Sequence, residues 1–150
     1  MDYNKFFGKT SEEVAKDLLG RLLVRNTENG TTAGEIIETG AYEEGKEIPS
    51  REGMKYAPGT IFLMPFRGYQ LLNISTDKEN YPSCVEIRRV RFHDKTIKGP
   101  GSITNFIDAK DLDGVVLGNE LEISRDQPTD LIIRKEKGSA DNCLGYFSIK

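Results

Sequence analysis

With 150 residues, 37% of them apolar and 30% charged, the chain is large enough to bury one core and gives no reason to expect a second domain. A formal net charge of −3 excludes a uniformly basic nucleic-acid binder, so any surface for a polyanion must be local. Cys84 and Cys143 form no Cys-x-x-Cys and His93 is the single histidine, which argues against a zinc site or a disulfide framework. With no long apolar run and no signal-type N-terminus, the expectation is an intracellular protein without a membrane span.

In chain order, Thr10 and Glu13 make a capping-box pattern ahead of Val14, Ala15, Leu18 and Leu19 at helical spacing, and Gly20 stops the run. This predicts a helix over 11–19. Asn29-Gly30 between two strand-like segments predicts a hairpin of strands 21–27 and 32–40. From Glu43 to Ala57, charge, Gly and Pro without a period predict a loop or frayed helix, with Glu43, Glu44 and Glu47 as a solvated run. Aromatic and β-branched residues at 60–65, 69–75 and 84–91 predict three more strands. Ser102 is placed to cap a short helix with Ile103, Phe106 and Ile107 on one face. Segments 115–117, 121–123, 131–133 and 146–149 read as further strands around turns at Asp113-Gly114 and Gly118-Asn119. Helices interspersed among hairpin-linked strands predict one α+β domain over 1–150, not a doubly wound parallel sheet. Its sheet should have at least five strands and be mostly antiparallel.

Chemistry enters with Glu35-Ile36-Ile37-Glu38-Thr39-Gly40-Ala41-Tyr42. The segment resembles the active-site strand of the alkyladenine (methylpurine, 3-methyladenine) DNA glycosylases, which reads Ile/Val-Val-Glu-Thr-Glu-Ala-Tyr. Further matches follow in the family's order: Phe6-Phe7, Asp17-Leu18-Leu19-Gly20, Leu22-Leu23-Val24, Pro58-Gly59-Thr60-Ile61-Phe62, Gly68, Asn73-Ile74-Ser75, Val85-Glu86-Ile87-Arg88 and Gly99-Pro100-Gly101-Ser102. Their collinearity from Phe6 to Tyr146-Phe147 is the specific signal. The resemblance implies a single mixed domain with a curved antiparallel sheet. It also implies a monomeric base-excision enzyme without cofactor, which flips a damaged, alkylated purine out of double-stranded DNA and hydrolyses its N-glycosidic bond.

Carried over by position, the family's stacking tyrosine falls on Tyr42, its site arginine on Arg88 and its groove-facing asparagine on Asn73. The water-activating glutamate falls on Gly40, which has no side chain to take a proton. The wedge that fills the gap left by the base falls on Phe66 or Arg67, just before Gly68. Met64 stands where a second aromatic is usual, and the pocket histidine is missing from the shortened segment after Tyr42.

If residues 35–42 form a regular strand, Glu38 shares a face with Gly40 and Tyr42, roughly 6.6 Å from Gly40 at about 3.3 Å per residue. From there it either reaches the site through one water or pairs with a structural Arg or Lys. Arg88, Arg89, Arg91, His93, Lys95 and Lys98 lead into Gly99, Gly101 and Ser102, read either as a phosphate-binding helix start or as a solvated strand end. Because Arg88 alternates with Val85 and Ile87, it should point away from the core.

Two functional readings stay open on the resemblance: a glycosylase confined to cationic alkylpurines, whose bond to the sugar breaks with little help, and a catalytically impaired protein that binds damaged DNA. A third, a domain that keeps only the fold and binds a nucleotide or another protein, follows from fold not fixing function.

Overall fold

The computed structural model describes residues 1–43 and 53–149. Two helices open the chain, α1 (Tyr3–Phe7) and α2 (Ser11–Leu18). Asp2 caps α1 by accepting from the Lys5 N–H, but five residues are too few to show a helical period, and spacing alone did not predict this helix. Thr10 caps α2 as predicted. Its Oγ1 accepts from the Glu13 N–H at 3.3 Å and donates to Glu13 Oε1 at 3.0 Å. Val14, Ala15 and Leu18 are fully buried, and Gly20 takes the positive φ of 84° that turns the chain into the sheet.

The strands are β1 (Leu22–Thr27), β2 (Gly30–Glu43), β3 (Ile61–Phe66), β4 (Tyr69–Ser75), β5 (Ser83–Phe92), β6 (Lys95–Lys98), β7 (Leu121–Ile123), β8 (Ile133–Glu136) and β9 (Cys143–Ile149). Among the described residues they form one nine-stranded sheet in the order β3-β4-β5-β2-β1-β7, with β6 added to β5 and β9 joining β2 to β8. Every strand pairing in it is antiparallel. The fold class is therefore the predicted α+β with a curled antiparallel sheet. Long β2 is its axis, meeting β1 through its first half and lying between β5 and β9 through its second.

Local details depart from the sequence expectations for identifiable reasons. The β1–β2 turn is Glu28-Asn29, one residue earlier than predicted, and Gly30 (φ 131°) follows it as the first residue of β2. A type I turn favours Gly at its fourth position, so the same Asn-Gly pair serves a different register. Segment 115–117 is not a strand. Val116 makes one isolated bridge to Thr60, and the turns closed by Val115 N–H to Leu112 O and Gly118 N–H to Leu121 O curve the chain away on both sides. The strand predicted at 131–133 starts at Ile133, and the one predicted at 146–149 starts at Cys143.

The third helix, α3 (Pro100–Phe106), starts two residues before the predicted cap. Gly99 (φ 97°) is its N-cap and Pro100, with its φ fixed near the helical value, opens it; Ser102 lies inside the first turn. Phe106 remains 42% exposed, tilted against Phe92 at 4.6 Å between ring centroids. Of the predicted loop at 43–57, residues 44–52, with Glu44 and Glu47, lie outside the described residues.

The two faces of the sheet carry different cores. One packs Ile36, Ala41, Ile74, Val85, Ile87 and Phe147 against α2 and α3, in the main apolar cluster. The other holds a smaller cluster of Met54, Phe62 and Cys84 with Tyr42, Tyr56 and Met64 packed beside it. Between β2 and β5 the register shifts at Ile36/Glu38 and again at Glu38/Thr39, each strand taking one extra residue. The two bulges cancel, so Ile36 and Thr39, like Ile87 and Val90, all face the core. Arg88 and Arg89 are thereby both turned outward, which strict alternation does not allow.

Candidate active site

Four register partners form a line across the second face: Asn73 on β4, Glu86 on β5, Gly40 on β2 and Tyr146 on β9. A parallel line two residues away holds Ser75, Cys84, Tyr42 and Cys143. Directly opposed residues in a sheet bring their Cβ atoms to about 4.5–5.5 Å, so each side chain in these lines lies beside the one on the next strand, and Gly40 places no side chain between Glu86 and Tyr146. Above them lies a cavity of about 400 Å³, walled by Phe62, Met64 and Phe66 on one side and Arg88 and Tyr146 on the other. That volume lies within the range of small-molecule sites.

The charges inside are ordered. Glu86 is 5% exposed, and its Oε1 accepts from the Tyr42 hydroxyl at 3.3 Å and from Arg88 Nη1 at 2.7 Å. Arg88 also donates Nε to Glu38 Oε2 at 3.0 Å, while Arg89 Nη2 stands 3.3 Å from the other Glu38 oxygen. The Arg88 guanidinium lies over the Tyr146 ring at 3.8 Å from its centroid, within reach of a cation–π attraction.

Burial pushes the Glu86 carboxyl above its ordinary 4.5, and the Arg88 charge and hydrogen bond only partly offset this. Burial also raises Tyr42, as does the adjacent Glu86 charge, so its hydroxyl stays a neutral donor. For Arg88 burial works against the charge, yet the bond to Glu38 and the nearby Glu86 outweigh it and the guanidinium stays protonated.

Four residues predicted for the chemistry thus come together. Tyr42 and Arg88 line the cavity, Gly40 lies buried in its wall, and Glu38 sits behind Arg88, outside the lining. A Cβ at Gly40 would stand 3.1 Å from Tyr42 Cε2, 3.2 Å from Arg88 Cδ and 3.2 Å from Tyr146 Cδ1. The space above it is occupied.

Met64, Phe66 and Asn73 also line the cavity, but Asn73 is 3% exposed and faces inward, not out to a groove. Arg67 (φ 49°) and Gly68 (φ 84°) form the two-residue turn of the β3–β4 hairpin, the double positive φ of a type I′ turn. At its base Phe66 is 49% exposed and Tyr69 46%. Lys98, Gly99, Gly101 and Ser102 gather where β6 meets α3, and of that junction Pro100 reaches the cavity. Gly101 is required by packing, since a Cβ there would stand 2.6 Å from Tyr69 Cβ and 2.7 Å from Cδ1 of its ring. Arg91 pairs with Glu35. The basic cluster therefore contributes less unpaired charge than its composition suggests.

Sequence reasoning missed Glu86 and Tyr146. A charged residue alternating with Val85 and Ile87 marks the face away from the main core, but not that a second cluster covers it. For Tyr146 the sequence offers only its place at the end of the family resemblance and no site role, because its neighbour Gly40 is 106 positions away and their pairing is a tertiary fact.

A sheet with one face covered by helices and the other hollowed into an aromatic cavity around a buried glutamate and its half-buried arginine partner defines a pocket-bearing α+β domain. The sequence model of the methylpurine-DNA glycosylase family matches residues 5–137, and the chain belongs to that family. Among its relatives are proteins named "Putative 3-methyladenine DNA glycosylase" from three organisms. The one from Methanocella arvoryzae is 32% identical over 124 residues, covering 65% of this chain and 62% of that one. That of Bacillus subtilis is 32% identical over 99 residues, 59% of this chain and 50% of its own length. A Listeria monocytogenes relative is 35% identical over 98 residues, covering 58% and 47%. The chain thus spans between about half and three fifths of the length of these relatives.

Proposed function

We propose that the protein receives an alkylated purine, swung out of double-stranded DNA, in the cavity beside Tyr42, and hydrolyses its N-glycosidic bond. The observation that carries this reading is the cavity itself. It is lined by Tyr42, Phe62 and Tyr146, and by the exposed Phe66 at the base of the β3–β4 hairpin. Flat apolar side chains suit a purine, and an exposed aromatic on a tight turn suits the gap that an extruded base leaves in the stack. Arg67 lies beside Phe66, its guanidinium 5.0 Å from the ring centroid, where a phosphate of the opened duplex would pass.

The substrates this site favours are cationic purines, alkylated at N3 or N7. Their bond to the sugar is already weak, so they ask least of a site with no side chain at position 40. Neutral lesions such as hypoxanthine should be released much more slowly. The test is single-turnover release of 7-methylguanine or 3-methyladenine from duplex DNA by the wild type and by Tyr42→Ala. The expected result is release by the wild type and loss of both release and lesion-selective binding in the variant. Equal release of neutral and cationic bases would contradict the preference.

One observation favours a second reading, a protein that binds the damaged base without excising it: the space a side chain at position 40 would use is filled by Tyr42, Arg88 and Tyr146. Lesion-selective binding without release under single-turnover conditions would establish that reading.

A further inference from the structure

We propose that Glu86 is the carboxylate that activates the hydrolytic water, acting from β5 into the cavity. The proposal rests on the purine-site reading above.

Water attacking a sugar carbon needs a base close to the reacting bond, and among the described residues Glu86 is the one carboxylate that lines the cavity. The other acids nearby are engaged elsewhere. Glu38 is shared by Arg88 and Arg89 behind the wall, Glu35 is paired with Arg91, and Glu43 accepts from the Tyr81 hydroxyl. Glu86 projects from the same face as Gly40, directly across the β2–β5 ladder, and beside it the sheet lacks any side chain at position 40. Tyr42 and Arg88, which crowd the space over Gly40, are also the two groups that hold Glu86. The carboxylate is thus fixed by an adjacent strand at the spot a residue-40 side chain would have reached.

Its two oxygens have different surroundings. Oε1 takes both hydrogen bonds, and among the described residues Oε2 takes none. Oε2 is not among the sealed, partnerless polar atoms either, so it is left to the cavity. A purely structural partner for Arg88 explains this poorly. Arg88 already has Glu38, and burying a second carboxylate costs several kcal/mol per ion unless its remaining lone pairs are used.

The step balances without a co-reactant. The oxygen of water bonds to C1′ as the C1′–N9 bond breaks and its electron pair leaves with the purine, while the water proton passes to Glu86 Oε2. For a base alkylated at N3 or N7 the departing pair cancels the positive charge, so the base leaves neutral and needs no acid. Glu86 then returns its proton to solvent.

The test is Glu86→Gln in the full chain, an isosteric change that keeps an acceptor for Tyr42 and Arg88. Single-turnover release of 7-methylguanine from duplex DNA should fall by about 10²-fold or more. Binding to a duplex carrying a stable abasic analogue should stay within a few-fold of wild type. The rate of the wild type should drop on the acid side, with a midpoint above the ordinary carboxylate value, and this limb should vanish in Glu86→Gln. The titratable or charged groups facing Glu86 among the described residues are Arg88 and Cys84 on β5, Tyr42 and Glu38 on β2, and Tyr146 and Cys143 on β9, so the loss of the limb in the variant identifies the group.

A variant that releases base at the wild-type rate, or that slows while keeping the acid limb, overturns the proposal. If the wild type binds the lesion duplex and releases nothing, the proposal falls and the purine site stands. If it neither binds nor releases, both fall.

Discussion

Gly40 is the position at which resemblance and geometry diverge most. The family pattern expects a glutamate there, and a missing side chain invites the idea that restoring it would restore a site. The sheet argues otherwise. Tyr146 from β9 and Arg88 from β5 close over Gly40 at distances tighter than ordinary van der Waals contact for a Cβ, and Glu86 already stands across the ladder. Gly40→Glu should therefore destabilise the protein by about 1–3 kcal/mol through overpacking, with like-charge repulsion from Glu86 adding to it. Gly40→Ala should cost less. Thermal denaturation of the two variants checks this, and pairing Gly40→Glu with Tyr146→Ala should recover part of the loss. A Gly40→Glu protein as stable as the wild type would mean that Tyr146 does not hold the position seen here. At this scale Tyr42 and Arg88 were legible because motif and alternation agree on them. Glu86 and Tyr146 were not, because what makes them site residues is which strands lie beside them.

The elements that shape the cavity are the paired bulges of β2 and β5 and the β3–β4 hairpin. The bulges turn Arg88 and Arg89 to the same side, where one glutamate, Glu38, ties both and orients Arg88 toward Glu86. Core-facing residues three apart, Ile36 and Thr39 on one strand and Ile87 and Val90 on the other, are the trace of this, but the spacing is ambiguous with a short helical period, and the polar Thr39 gives no apolar mark in the sequence. The hairpin was better specified: Gly68 lies in open space with φ 84°, so its requirement is for backbone conformation alone. Gly68→Ala should cost about 1–2 kcal/mol, the price of a left-handed conformation for an L residue, with no clash contributing. Urea unfolding measures that cost. Lesion-duplex binding should weaken with it as Phe66 loses its fixed place, whereas unchanged stability would show that the turn relaxes to another type.

For the whole molecule, charge is the limiting quantity. The chain is net −3, and Arg88, Arg89 and Arg91 are each paired with a glutamate. On the proposed reading, the candidates for phosphate contact are Arg67 in the β3–β4 turn and Lys98 at the end of β6. Duplex binding should then release few counterions, with log K falling against log salt at a slope of about −3 or shallower. A titration of duplex affinity between low and physiological salt gives the slope, and a value steeper than about −5 would overturn this expectation.

The split between one dimension and three follows from the range of the forces involved. Caps, turns and alternation act over a few residues, so α2, the hairpins, the α+β class and the family motifs are readable from neighbours along the chain. The site depends on contacts between β2, β5 and β9, more than a hundred residues apart for Gly40 and Tyr146, and on two bulges that only a paired ladder can define. Burial is likewise set by what covers a face. That is why Glu86 reads as an ordinary strand charge in the sequence and becomes a desolvated carboxylate in a cavity once the sheet has curled.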